Sequence, residues 1–135
     1  MRVAAIGLTA AVAALVAAAA AAMGAMTSNP ASASSIVRIV RMTDGLQFRP
    51  ARLTVPRGTR VVWKNSGTVA HTITTIRSKA GTKAHAAVPR GVKVWNSGFV
   101  AGGGVYARTL RTPGVYRYFC IPHEGAGMIG TIIVR

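Results

Sequence analysis

Tyr118-Phe119-Cys120-Ile121-Pro122-His123-Glu124-Gly125-Ala126-Gly127-Met128-Ile129-Gly130 contains the chain's only cysteine. The spacing is C-x2-H-x4-M, so a thiol, an imidazole and a thioether fall within one short stretch. Val115 to Phe119 before it and Ile129 to Val134 after it are rich in β-branched and aromatic residues, which reads as two strands. Cys120 then ends one strand, Ile129 begins the last, and a tight connection presents all three side chains together.

Working outward, the rest of the chain past Ser35 repeats the same grammar. Ile36 to Met42 is β-branched and apolar, and Asp44-Gly45 signals a turn. Leu53-Thr54-Val55, then Thr59 to Lys64, follow across Pro56-Arg57-Gly58. In Thr59 to Lys64, Val61 and Trp63 fall on one face while Val62 and Lys64 fall on the other. Ala70 to Ile76 is a further β-prone run, and Tyr106 to Leu110 another. Arg77 to Val94 breaks the pattern and reads as a long loop with a short helical turn. No amphipathic helix competes. Many short strands between Gly and Pro turns, in about 100 residues, predict an all-β antiparallel sandwich.

The N-terminus reads differently. Arg2 precedes an uncharged, alanine-dominated run from Val3 to Ala22, followed by small-residue triplets at Ala20-Ala21-Ala22 and Ala31-Ser32-Ala33. That order is the pattern of a secretory signal. The competing reading is an uncleaved anchor, since roughly 20 apolar residues can span a bilayer. Weakly hydrophobic alanine and the polar stretch Thr27 to Ser35 favour cleavage. We therefore divide the chain into a signal segment and linker over 1–33 and one domain over 34–135. The expected location is periplasmic or otherwise extracytoplasmic, with membrane tethering as the outcome if the leader stays. A lone thiol in an oxidising compartment invites oxidation unless something occupies it.

Charge is the other strong signal. The chain has 17 Lys and Arg against two acids, Asp44 and Glu124, for a net +15. Without Arg2 the remainder carries +14. Such a balance suits an anionic partner, whether an acidic protein or anionic lipid, although an Arg-rich and Ala-rich composition produces it too. Nucleic acid is not expected as a partner, because the cations are scattered singly and the leader points outward.

His71, beside the Asn65-Ser66-Gly67 turn, could add a second imidazole to Cys120, His123 and Met128. Two His and one Cys with a distant axial Met form the ligand set of blue-copper electron-transfer sites. Each residue alone has a plainer explanation. A lone buried Cys is usually a small hydrophobe, Met128 before a strand is usually core, and His71 alone would be an ordinary strand-end histidine. The joint pattern at strand–loop junctions favours metal. Zinc has no use for a thioether, and a Cys–His hydrolase lacks an orienting partner and an oxyanion site. No catalytic residue is assigned, and the chain is not read as an enzyme.

The stretch Tyr118 to Gly130 resembles the copper loop of plastocyanin and its relative pseudoazurin. Val55 to Asn65, Ala70-His71-Thr72 and Thr112 to Tyr116 are similar to other parts of the same family, so the resemblance covers most of Ile36 to Arg135. It implies a Greek-key cupredoxin sandwich holding one Cu(I)/Cu(II) ion through His71, Cys120, His123 and Met128. It also implies that His123, flanked by Pro122, Gly125 and Ala126, offers its ring edge as an electron port. The implied function is a small monomeric one-electron carrier between redox partners outside the cytoplasm, and the positive charge adds the expectation that those partners are acidic where they dock. The alternative is copper delivery or storage. Only Met42 and Met128 lie outside the leader, with no Met-rich tract, which favours the carrier. Two departures stand out: Thr72 replaces the Asn common after the first His, and 77–104 does not follow the family closely. His85 is read as a surface residue, and Glu124 beside the port as a solvated one.

Overall fold

A computed structural model describes residues 35–135, and the leader expected over 1–33 lies outside them. Among the described residues, seven strands form two sheets. β1 (Val37–Thr43), β2 (Gln47–Arg49), β4 (Thr59–Asn65) and β5 (Val105–Leu110) make one sheet in the order β2-β1-β4-β5. β3 (Arg52–Val55), β6 (Gly114–Phe119) and β7 (Ile129–Val134) make the other in the order β3-β7-β6. β1 runs parallel to β4 and β3 parallel to β7, while the remaining pairs are antiparallel. Among the described residues no helix is long and apolar enough to cross a membrane.

Side-chain alternation explains why these segments are strands. In β4, Thr59, Val61, Trp63 and Asn65 are buried, whereas Arg60 and Lys64 are exposed. β1 turns Val40 and Met42 inward, and β7 does the same with Gly130, Ile132 and Val134. A period of two puts one set against the opposite sheet and leaves the other in water. On the outer face, pairing lines up Arg49, Arg41 and Lys64 across three strands. Cations scattered in sequence thus become a row in space.

Aromatic rings join the sheets. The Tyr118 ring meets Phe48 edge-on at 4.8 Å between centroids and Trp63 at 5.3 Å. Trp63 and Tyr118 are fully buried. The register pairs Tyr118 with Gly130, and any side chain at Gly130 would overlap the Tyr118 ring. The final glycine of the quoted stretch is therefore the residue that lets this ring lie flat across β7.

Two expectations need correction. Ala70 to Ile76 is not a strand, and pairs only through single bridges at His71 and Thr74. His71 through Thr75 are all buried, so this run passes between neighbours on both sides and shows no in–out alternation. β2 is an addition, too short at three residues to leave a periodic signal. The 77–94 loop is long, as expected, with two short 3-10 turns at Arg77–Lys79 and Lys83–His85. Ala80 and Ala86 bury themselves against Phe119, with Ile129 packed alongside, and fix this loop beside the copper-loop candidate.

Candidate metal centre

His71 and the Cys120–Met128 connection meet at one end of the sandwich. His71 is held by a two-way backbone bridge, its N–H to the Val100 carbonyl at 3.1 Å and the Val100 N–H to its own carbonyl at 2.7 Å. Buried Asn65 fixes the approach: its amide donates to the carbonyls of Val69 and Val100, and its oxygen accepts from Gly67 N–H. The sequence showed this asparagine only as part of a turn.

The second half is a 3-10 turn, Ile121–Ala126. Cys120 N–H donates to the Met128 carbonyl at 3.0 Å, and Met128 N–H to the His123 carbonyl at 3.2 Å. His123 N–H returns to the Cys120 carbonyl at 3.2 Å. These bonds tie the three residues to one another through the backbone, so their spacing does not depend on side-chain packing alone.

Three donor atoms converge. His71 Nδ1 and His123 Nδ1 are 3.2 Å apart, and Cys120 Sγ lies 3.8 Å from the first and 3.4 Å from the second. The point equidistant from all three is about 2.0 Å from each, which equals the nitrogen–metal bond length of small divalent ions and is about 0.3 Å short of the sulfur–metal one. Lone pairs crowded this closely repel one another unless a cation or a shared proton lies among them, so the donor set fits a metal ion. His71, Cys120 and Met128 are fully buried, and His123 alone is partly exposed. Pro122, Gly125 and Ala126 around it are exposed.

Burial, then the nearby His123, holds the His71 pKa below the ordinary histidine value, against smaller opposing effects of the Thr43 backbone and Asp44. A neutral imidazole is the form that binds metal. Its Nε2 is buried without a hydrogen bond of normal geometry, although the Thr43 backbone is near enough to favour the protonated ring.

Thr72 does what the departure from the family pattern left open. Its N–H donates to Cys120 Sγ at 3.3 Å, and its hydroxyl accepts from Ile121 N–H at 2.8 Å. A threonine oxygen thus stitches the two halves of the site.

Two other expectations are overturned. Glu124 is not a solvated acid: it accepts from Gly81 N–H at 2.8 Å, Thr82 N–H at 3.1 Å and His85 Nδ1 at 2.8 Å. His85 is not a free surface residue, since its side chain is only 29% exposed and pairs with Glu124. Both contacts span about forty residues of sequence and leave no local signal. Burial is the largest single influence on the Glu124 pKa and raises it. Hydrogen bonds from Gly81, Thr82 and His85 outweigh that, and the net shift is downward.

The profile of the copper binding proteins of the plastocyanin/azurin family matches residues 36–135. The chain belongs to the plastocyanin/azurin family. It is 33% identical over 99 residues to plastocyanin of Scenedesmus fuscus, covering 73% of this chain and 97% of that one. With chloroplastic plastocyanin of Tetradesmus obliquus the identity is 34% over 103 residues, covering 73% of this chain and 66% of the relative's length. A purple cupredoxin from Nitrosopumilus maritimus shares the fold, with a TM-score of 0.57 at 22% identity, over 72% of this chain and 98% of that one. The fold is thus that of a cupredoxin, copper is the cofactor, and copper-based electron transfer is the family's activity.

Proposed function

We propose that this protein is a small mobile one-electron carrier working outside the cytoplasm, with copper held by His71, Cys120, His123 and Met128. The observation that carries the reading is the convergence of two imidazole nitrogens and one cysteine sulfur within 3.2–3.8 Å of one another. Copper bound there supplies a one-electron Cu(I)/Cu(II) couple, and soft sulfur with harder imidazole suits both states. The protein's part is to hold the donors still and dry. Backbone bonds within the Cys120–Met128 turn and the Thr72 stitch resist rearrangement, and burial of three of the four residues excludes water. Partly exposed His123, ringed by small and apolar neighbours, is the point where a partner can come close.

Met128 ranks below the other three. A long axial bond adds little binding, so Met128→Leu is expected to move the reduction potential while leaving copper occupancy nearly intact. Substituting His71 or His123 is expected to empty the site. Voltammetry beside a copper assay checks the ranking, and an empty Met128→Leu site would overturn it.

The carrier role is tested by stopped-flow reduction with an acidic redox partner across a salt series. A charge of +14 outside the leader steers encounter over a range that salt cuts to about 10 Å at 0.1 M, and steering acts mainly on the on-rate. The rate is expected to fall steeply with salt. A rate that is flat or rises with salt contradicts the docking chemistry. Loss of copper to a chelator during redox cycling would instead favour delivery.

A further inference from the structure

The chain has only two carboxylate side chains against 17 Lys and Arg, yet among the described residues neither pairs with a Lys or Arg. The one ion pair among the described residues is Glu124 with His85. Both carboxylates are instead spent on loop backbone beside the metal centre. Asp44, in the β1–β2 turn, accepts from Thr68 N–H at 2.8 Å, Val69 N–H at 2.9 Å and the Thr68 hydroxyl at 3.2 Å. Those donors sit just ahead of His71. A side chain at Gly67 would overlap the Asp44 carboxylate, so glycine is what allows this close approach. Glu124, next to His123, reaches across to Gly81, Thr82 and His85.

We propose that Asp44 and Glu124 are positioning residues for the two imidazole donors, each pinning the loop that carries one of them. The proposal rests on the reading of His71 and His123 as copper ligands. Asp44 fixes the Gly67–Val69 turn from one side while Asn65 fixes it from the other. Glu124 anchors the 3-10 turn of His123 to the 81–85 segment, which is itself tied down by Lys83 Nζ donating to the carbonyls of Arg77 and Ala80. Asp44 is exposed, and hydrogen bonds at the surface add little net stability. What they do supply is direction: an ionised carboxylate accepting two or three N–H groups fixes a loop more firmly than a neutral acceptor. Groups that orient metal ligands without touching the metal commonly govern affinity. A second consequence follows for docking. With Glu124 engaged by Gly81, Thr82 and His85, the face around His123 presents exposed Pro122, Gly125 and Ala126 to a partner, even though the sequence places an acid beside the port.

The test uses the copper-loaded full chain with Asp44→Ala, Asp44→Asn, Glu124→Ala and Glu124→Gln, and Arg90→Gln as a charge-change control. Copper affinity is read by chelator competition, the thiolate-to-copper band by absorption, and loop pinning by amide hydrogen exchange of the metal-free protein. Each Ala variant is expected to lose copper affinity by about tenfold, the low end for removing a group that orients a ligand, and to shift the band. Exchange is expected to quicken at Thr68 and Val69 for Asp44→Ala, and at Gly81 and Thr82 for Glu124→Ala, each loop independently of the other. Asn at 44 keeps one oxygen for both backbone N–H groups and is expected to recover most of the loss. Gln at 124 keeps only one of the two oxygens that Gly81 and Thr82 engage and is expected to recover only part of it, while Arg90→Gln changes none of the three readouts. Ala variants with unchanged affinity and band would overturn the proposal. So would an Asp44→Asn variant as impaired as Asp44→Ala, which would make the effect at that loop one of charge alone. A wild-type protein with no band would overturn the ligand reading itself, and the exchange pattern would still decide whether the carboxylates pin their loops.

Discussion

Replacing Cys120 with serine is expected to abolish the visible thiolate-to-copper band entirely while leaving the sandwich folded. The band requires a sulfur donor, and Cys120 is the chain's only cysteine. Sγ receives the Thr72 N–H at 3.3 Å, and a serine hydroxyl can accept the same proton. The substitution therefore costs the fold only about 1–3 kcal/mol for a polar atom in a buried place. Circular dichroism and a melting curve beside the absorption spectrum separate lost chemistry from lost structure. A mutant that keeps the band would remove Cys120 from the site.

Trp63→Ala is expected to be the most damaging change to the fold. Trp63 is fully buried at the centre of β4, with ring contacts to Tyr118 on the opposite sheet and to Trp95 and Tyr106. Truncating such a residue costs on the order of 3–5 kcal/mol, against a total of about 5–15 kcal/mol for a domain. Lys64→Ala, one residue on and pointing outward, is expected to stay within about 0.5 kcal/mol of the parent. Urea unfolding of both variants measures the contrast. Equal losses would mean that the two sheets are not joined through Trp63.

The parts of this protein that could be read from sequence are those governed by local rules. Strand alternation in β4 follows from the pleat, so Val61 and Trp63 could be placed on one face from their spacing. Cys120, His123 and Met128 lie within nine residues, and the turn between them has little freedom in how it presents them. His71 lies about fifty residues away and could be added only because its chemistry matched. What escaped was set by distant contacts. Ala70 to Ile76 read as a strand because Thr and Ile favour extended backbone, but burial of His71 to Thr75 on both sides replaced sheet pairing. The engagement of Asp44 with Thr68 and Val69, and of Glu124 with Gly81, Thr82 and His85, joins segments that share no sequence pattern. Thr72 looked like a defect in the family pattern because its role lies in one hydroxyl contact to Ile121.

The central claim is that two imidazole nitrogens and one thiolate sulfur hold copper at this end of the sandwich. Extended X-ray absorption at the copper edge of the loaded protein counts those donors directly. The account predicts two nitrogen scatterers and one sulfur, all at about 2.0–2.3 Å. A shell of nitrogen and oxygen alone, with no short sulfur, would contradict it.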